Sequence, residues 1–141
     1  MILPDVNVLL YAFRRDAPRH VEYRDWLNET INGDSAYGMA PQVLASLVRI
    51  STHRRIYVHP STPAEALAFC DALLQPNHCT VVQPGAHHWG IFQDLCRTSR
   101  VTGNLVQDAW FAALAIESGC EWITTDRDYA QFAALRWRAP L

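Results

Sequence analysis

This sequence predicts an α/β fold: a mostly parallel sheet of four to five strands with helices on both faces. Three observations lead there. Short β-rich runs alternate with apolar stretches of helical period along the whole chain, which is the pattern of a parallel sheet with crossover helices. Helix starts and stops are marked by Pro, Thr and Gly at suitable positions. Carboxylates recur just past the ends of the strands, where open α/β sheets bind their ligands. The 141 residues, 50% hydrophobic and 18% charged, suit a single globular domain spanning 1–141.

The first strand is Ile2 and Leu3, closed by Pro4 and ending at Asp5, and an apolar helix follows over residues 6 to 13. Asp5 suits an N-cap as well as a site residue, and Asn7 is a polar group inside an apolar turn, where it needs a partner. Arg14 to Pro18 reads as a polar link into a second helix, which carries Val21, Trp26, Leu27 and Ile31 and stops at Gly33. Ser35 to Met39 is the next strand. Pro41 opens a third helix with Val43, Leu47 and Ile50 on its inward stripe, and Ser46 beside them. His53 to Pro60 is a basic, partly aromatic connection, read as a solvated loop in preference to a nucleic-acid contact.

Thr62, Pro63 and Glu65 form a capping box that starts the fourth helix. Cys79 to Val82 is a strand ended by Pro84 and Gly85, and residues 86 to 100 are helical. His87 and His88 are adjacent, so their side chains diverge, and both read as surface or capping groups. Leu105 to Ser118 forms the last long helix, capped by Gly119, with Leu105, Ala109, Ala112 and Ile116 inward. Asp108 borders that buried face, where a charge needs a partner or a metal. Glu121 to Thr125 is a strand running into Asp126, which also suits the cap of a short helix, and Leu135 to Arg138 is an edge strand.

Composition removes several chemistries. All twelve basic residues are arginine, and without lysine no lysine-dependent catalysis or phosphate cradle is available. Codon usage explains this bias more simply than phosphate recognition does. A net charge of −2 gives no overall attraction to nucleic acid or membrane, so any basic site is local. Cys70, Cys79, Cys96 and Cys120 make no C-x-x-C pair, which argues against a zinc knuckle. With no signal-peptide pattern, no bilayer-spanning run and free thiols, a reducing cytoplasm is expected.

Asp5, Asp108 and Asp126 are distant in sequence, yet each is carried by its element to the carboxyl edge of the sheet. Crowded carboxylates repel one another and call for a cation, and an all-oxygen set favours Mg²⁺ or Mn²⁺ over zinc. Such ions support phosphodiester cleavage.

The stretches Asp5-Val6-Asn7-Val8-Leu9-Leu10-Tyr11, Gly103-Asn104-Leu105-Val106-Gln107-Asp108-Ala109 with Ala112 to Ala115, and Thr125-Asp126-Arg127-Asp128-Tyr129 together resemble a PIN-domain ribonuclease of the VapC toxin type. Their order, the spacing of 18 between Asp108 and Asp126, and the chain length all agree. The resemblance implies a PIN-like three-layer sandwich and Mg²⁺-dependent cleavage of an RNA substrate. It also implies a homodimer, a VapB-like antitoxin as inhibitor, and catalytic, metal-holding roles for Asp5, Asp108 and Asp126. One position departs: the family's inward glutamate of the third helix is Ser46 here, which leaves the number of metals open and gives Asp128 a possible compensating role. The alternative from another class is a non-catalytic PIN-like module that binds RNA or protein. Aspartyl-phosphate phosphatases and phosphorelay receivers fail on the missing lysine. A histidine-based, metal-free ribonuclease fails because no histidine falls at a strand's carboxyl edge.

Overall fold

A computed structural model describes residues 1–141. Five strands, β1 (Ile2–Pro4), β2 (Tyr37–Met39), β3 (Cys79–Val81), β4 (Glu121–Ile123) and β5 (Trp137–Arg138), form one sheet in the order β3-β2-β1-β4-β5. Every pairing is parallel, so all carboxyl ends share one edge. The expected strands are all present, but each is shorter than the sequence suggests. Ser35 and Ala36 precede β2, Val82 lies past β3, and Thr124 and Thr125 lie past β4. Propensity marks β-favourable residues, whereas a strand extends only as far as a neighbour supplies ladder bonds.

Six helices flank the sheet: α1 (Val6–Phe13), α2 (His20–Asn32), α3 (Pro41–Ser51), α4 (Pro63–Leu74), α5 (His88–Ser99) and α6 (Leu105–Ser118). Local chemistry explains most of their limits. The Thr62 hydroxyl accepts from the Glu65 amide at 3.2 Å and donates to the Glu65 carboxylate at 3.0 Å, closing the capping box of α4. Gly119 ends α6 with φ of 69°, a conformation that favours glycine. Helix α6 is buried over a wider arc than its predicted stripe: Phe111, Ala113 and Leu114 join Ala109 and Ala112 in the core. Its alanines let the helix approach β4, and Phe111 stacks on Trp122 with centroids 5.5 Å apart.

Two polar residues are more deeply placed than sequence patterning suggests. His88 is 1% exposed, not a surface group; its ring lies edge-on to Trp110 at 4.2 Å, and its Nε2 is 3.0 Å from the Trp110 carbonyl oxygen. The helix begins at His88 itself, two residues later than expected, and this start turns the ring against α6. Arg14, read as part of a polar link, is 8% exposed. Its guanidinium donates to the His59 carbonyl at 2.9 Å and to Ser61 at 3.0 Å, pairs with Asp16, and lies 3.9 Å from the Tyr57 ring centroid. It thereby anchors the basic connection after α3 to the end of α1, while Arg54 and Arg55 in that connection stay exposed.

Candidate functional site

Parallel register sets the site. Pro4 pairs with Ile123, and the Asp5 amide donates to the Ile123 carbonyl at 2.8 Å, so the ladder passes the missing N–H of Pro4 and brings Asp5 beside Thr124. Asp5 fills the capping role considered for it and also lines a cleft at the carboxyl edge of the sheet. One carboxylate oxygen accepts from the Val6 amide at 2.7 Å and caps α1; the other accepts from the Thr124 hydroxyl at 2.7 Å. Asp126, past β4, accepts from the Asp128 amide at 2.9 Å and caps the short 3₁₀ turn Arg127–Gln131. Asp108 reaches the same place from the first turn of α6.

All three predicted carboxylates line one cleft of about 570 Å³ at the carboxyl edge of the sheet. A cleft of about 370 Å³ at the opposite edge, beside Met1 and Trp26, offers only Glu29 and Asp34 as carboxylates. Within the acidic cleft the carboxylates are not equivalent. Oxygens of Asp108, Asp126 and Asp128 lie within 4.8 Å of one another, so Asp128, ambiguous in sequence, joins the cluster. Asp5 is set behind them, 5% exposed and held by Thr124.

Burial, opposed by the Thr124 and Val6 hydrogen bonds and reinforced by the Asp126 charge, pushes the Asp5 carboxyl up to about 6. Asp108 is pushed up to about 6 by burial and then by Asp126, Asp5 and Asp128, with Tyr129 pulling the other way. The buried Tyr129 phenol is held far above its ordinary range by burial and the same three carboxylates Asp5, Asp108 and Asp126, so it stays a neutral donor.

These shifts fix a pH dependence. A carboxyl whose native pKa lies above its unfolded value, near 3.8, stabilises the native state fully at low pH and loses that contribution as pH rises through about 6. The shift of Asp5 corresponds to about 3 kcal/mol. That of Asp108, more than half solvated, is discounted to about 1 kcal/mol. Thermal unfolding in chelator is therefore expected to show stability declining between about pH 4 and pH 6.5 and levelling off above; a rise across that window contradicts the arrangement.

The residues fit a hard divalent cation. Their donors are all oxygens, and three carboxylates crowd within 4.8 Å of one another with no ion pair to any of them. The Asn7 Oδ1, buried at the cleft wall, has no hydrogen-bond partner, while its amide nitrogen donates weakly to Thr124 at 3.4 Å. An orphaned buried oxygen beside carboxylates suits a ligand that accepts oxygen donors. Ser46 lines the cleft from α3, as its stripe position predicts. Sequence reasoning assigned no role to Thr124, Tyr129 or Arg49; a threonine directly after a strand, opposite a strand-end aspartate, was the signal available for the first.

The PIN domain family profile matches residues 2–135. The chain belongs to the PIN-domain family. Ribonuclease VapC43 of Mycobacterium tuberculosis is 40% identical over 141 residues, which are 100% of this chain and 96% of that protein. Ribonuclease VapC25 of the same species is 38% identical over 140 residues, covering 99% of each. This PIN domain is thus of the VapC ribonuclease group. Its fold matches the structure of VapBC2 from Rickettsia felis bound to a promoter DNA fragment, with a TM-score of 0.71 at 17% identity, over 99% of this chain and 98% of that one. PIN nucleases are metal-dependent, and the acidic cluster of this PIN domain could bind a metal.

Proposed function

We propose that this PIN domain is the endoribonuclease toxin of a VapBC-type toxin–antitoxin pair, hydrolysing RNA phosphodiester bonds in the cytoplasm with Mg²⁺ or Mn²⁺ held by Asp5, Asp108 and Asp126. The observation that carries this reading is the convergence of carboxylates from three distant segments in one open cleft. Its VapC relatives, named ribonucleases, agree.

Each residue has a distinct task in this reading. Asp108 and Asp126 present charged oxygens to the open side, with Asp128 at the rim. Asp5 supplies charge from behind, its orientation fixed by Thr124 and by the first amide of α1. Tyr129, neutral and buried, lines the cleft with Asp108 and adds no charge to it. The bound cation supplies Lewis acidity at the scissile phosphate and a water of lowered pKa. An antitoxin of VapB type is the partner, an arginine from it pairing with the cleft carboxylates, and two copies of the chain form the toxin unit.

Chelation tests the nuclease reading. Purified protein is expected to cleave cellular RNA in Mg²⁺ or Mn²⁺, to stop in EDTA and to resume when the ion is restored; activity persisting in EDTA rejects it. Ser46 brings no charge to α3, so Mn²⁺ titrated calorimetrically into RNA-free protein should report about one weak site, with Ser46→Glu tightening or adding one. Two tight sites in the wild type would show that Asp128 completes the cluster instead.

A further inference from the structure

Arg49 is the one cationic side chain lining the acidic cleft. It follows Gln42 and Ser46 along α3 at helical spacing, so the three face the cleft together. The Gln42 carbonyl accepts from the Trp110 indole at 2.7 Å, which fixes this end of the wall and leaves the Gln42 amide hydrogens free. The cleft thus has two chemically different sides: carboxylates from the strand ends and α6, and a neutral-to-cationic face from α3. Arg49 does not neutralise the acids. The protein's four ion pairs engage Arg14, Arg19, Arg24 and Arg138, and Arg49 stays exposed with its planar fork unpaired.

RNA brings one negative charge per nucleotide to a cleft whose protein charge is mainly negative. A cation on the carboxylates compensates at the reacting phosphate, but the neighbouring phosphates still meet an acidic wall. A guanidinium binds two phosphate oxygens at once and is always charged, which suits it to that position. Arg54 and Arg55, both exposed and outside every ion pair, follow the end of the same helix but do not line the cleft, so Arg49 alone supplies its cationic side.

The geometry points to Arg49 as the residue that grips an RNA phosphate adjacent to the scissile one and sets the strand along the α3 side of the cleft. This rests on the nuclease reading of the cleft, so its test reads binding apart from cleavage. The probe is a fluorescein-labelled single-stranded oligouridylate, titrated by anisotropy in EDTA at several salt concentrations against Asp108→Asn protein. Adding Arg49→Ala should weaken binding roughly tenfold, as losing a charge-assisted phosphate contact does. It should also reduce the slope of log affinity against log salt by about 0.7, one contact on a single strand. Arg49→Lys should restore the slope and part of the affinity. Arg136→Ala, at the opposite edge where Arg136 donates to the Gly119 carbonyl, removes the same charge and should change neither. In otherwise wild-type enzyme with Mg²⁺, Arg49→Ala should raise KM more than it lowers kcat. Affinity and slope unchanged by Arg49→Ala, or lowered as far by Arg136→Ala, overturn the assignment. Failure of the nuclease reading shows separately, as wild-type protein that leaves RNA intact in Mg²⁺.

Discussion

Asp108→Asn is expected to lower RNA cleavage by on the order of a hundredfold or more while making the metal-free protein more stable. The substitution keeps the size of the side chain and removes one charge from a cluster where Asp108, Asp126 and Asp128 bring oxygens within 4.8 Å of one another. In the proposed reading, that charge holds the cation when one is present. In chelator it only repels, and burial together with Asp126, Asp5 and Asp128 pushes the Asp108 carboxyl up to about 6. At pH 7 the Asn variant should therefore unfold at a higher temperature than wild type in EDTA, by about 1 kcal/mol after allowing for solvent screening. The gap should narrow as pH falls through about 6 and close below about pH 3, where the wild-type carboxyl is protonated in both states. Paired melts and cleavage assays check both halves. Cleavage retained at the wild-type level in Mg²⁺ refutes the metal-holding role, and a loss of stability in EDTA at pH 7 refutes the electrostatic account of the cluster.

Expression of the protein without an antitoxin is expected to arrest bacterial growth, and co-expression of the small protein encoded beside it should relieve the arrest. The physical basis is the openness of the cleft: Asp108 and Asp126 are only partly buried and Asp128 is exposed, so RNA has access. The same access admits an inhibitor, and an arginine presented by a partner can pair bidentately with those carboxylates and compete with the cation. The Asp108→Asn variant, expressed to the same level, should let cells grow. Normal growth with abundant folded wild-type protein counts against a toxin, and arrest by Asp108→Asn as severe as by wild type counts against RNA cleavage as its cause.

Sequence alone determined what depends on short-range chemistry. Helix limits follow from caps that act within one turn, as Thr62 with Glu65 and Gly119 after α6 show. Because parallel strands place all their carboxyl ends together, the strand-end positions of Asp5 and Asp126 and the bordering position of Asp108 sufficed to bring the three into one cleft. Tertiary structure decided everything that depends on how segments far apart in sequence meet. It seated Asp5 behind the cluster on the Thr124 hydroxyl and carried Asp128 to the oxygens of Asp108 and Asp126. It also buried His88 against Trp110 and folded Arg14 under the connection that carries His59 and Ser61. Periodicity assigns a residue to a face of its own element but is silent about what the opposing element presents there. The burial of these two polar side chains depends on partners from other segments, the Trp110 carbonyl for His88 and the His59 carbonyl for Arg14. Arg49 shows the same limit: its sequence marks only an arginine near a helix end, and packing of α3 beside the strand ends turns it into the single cation of an acidic cleft.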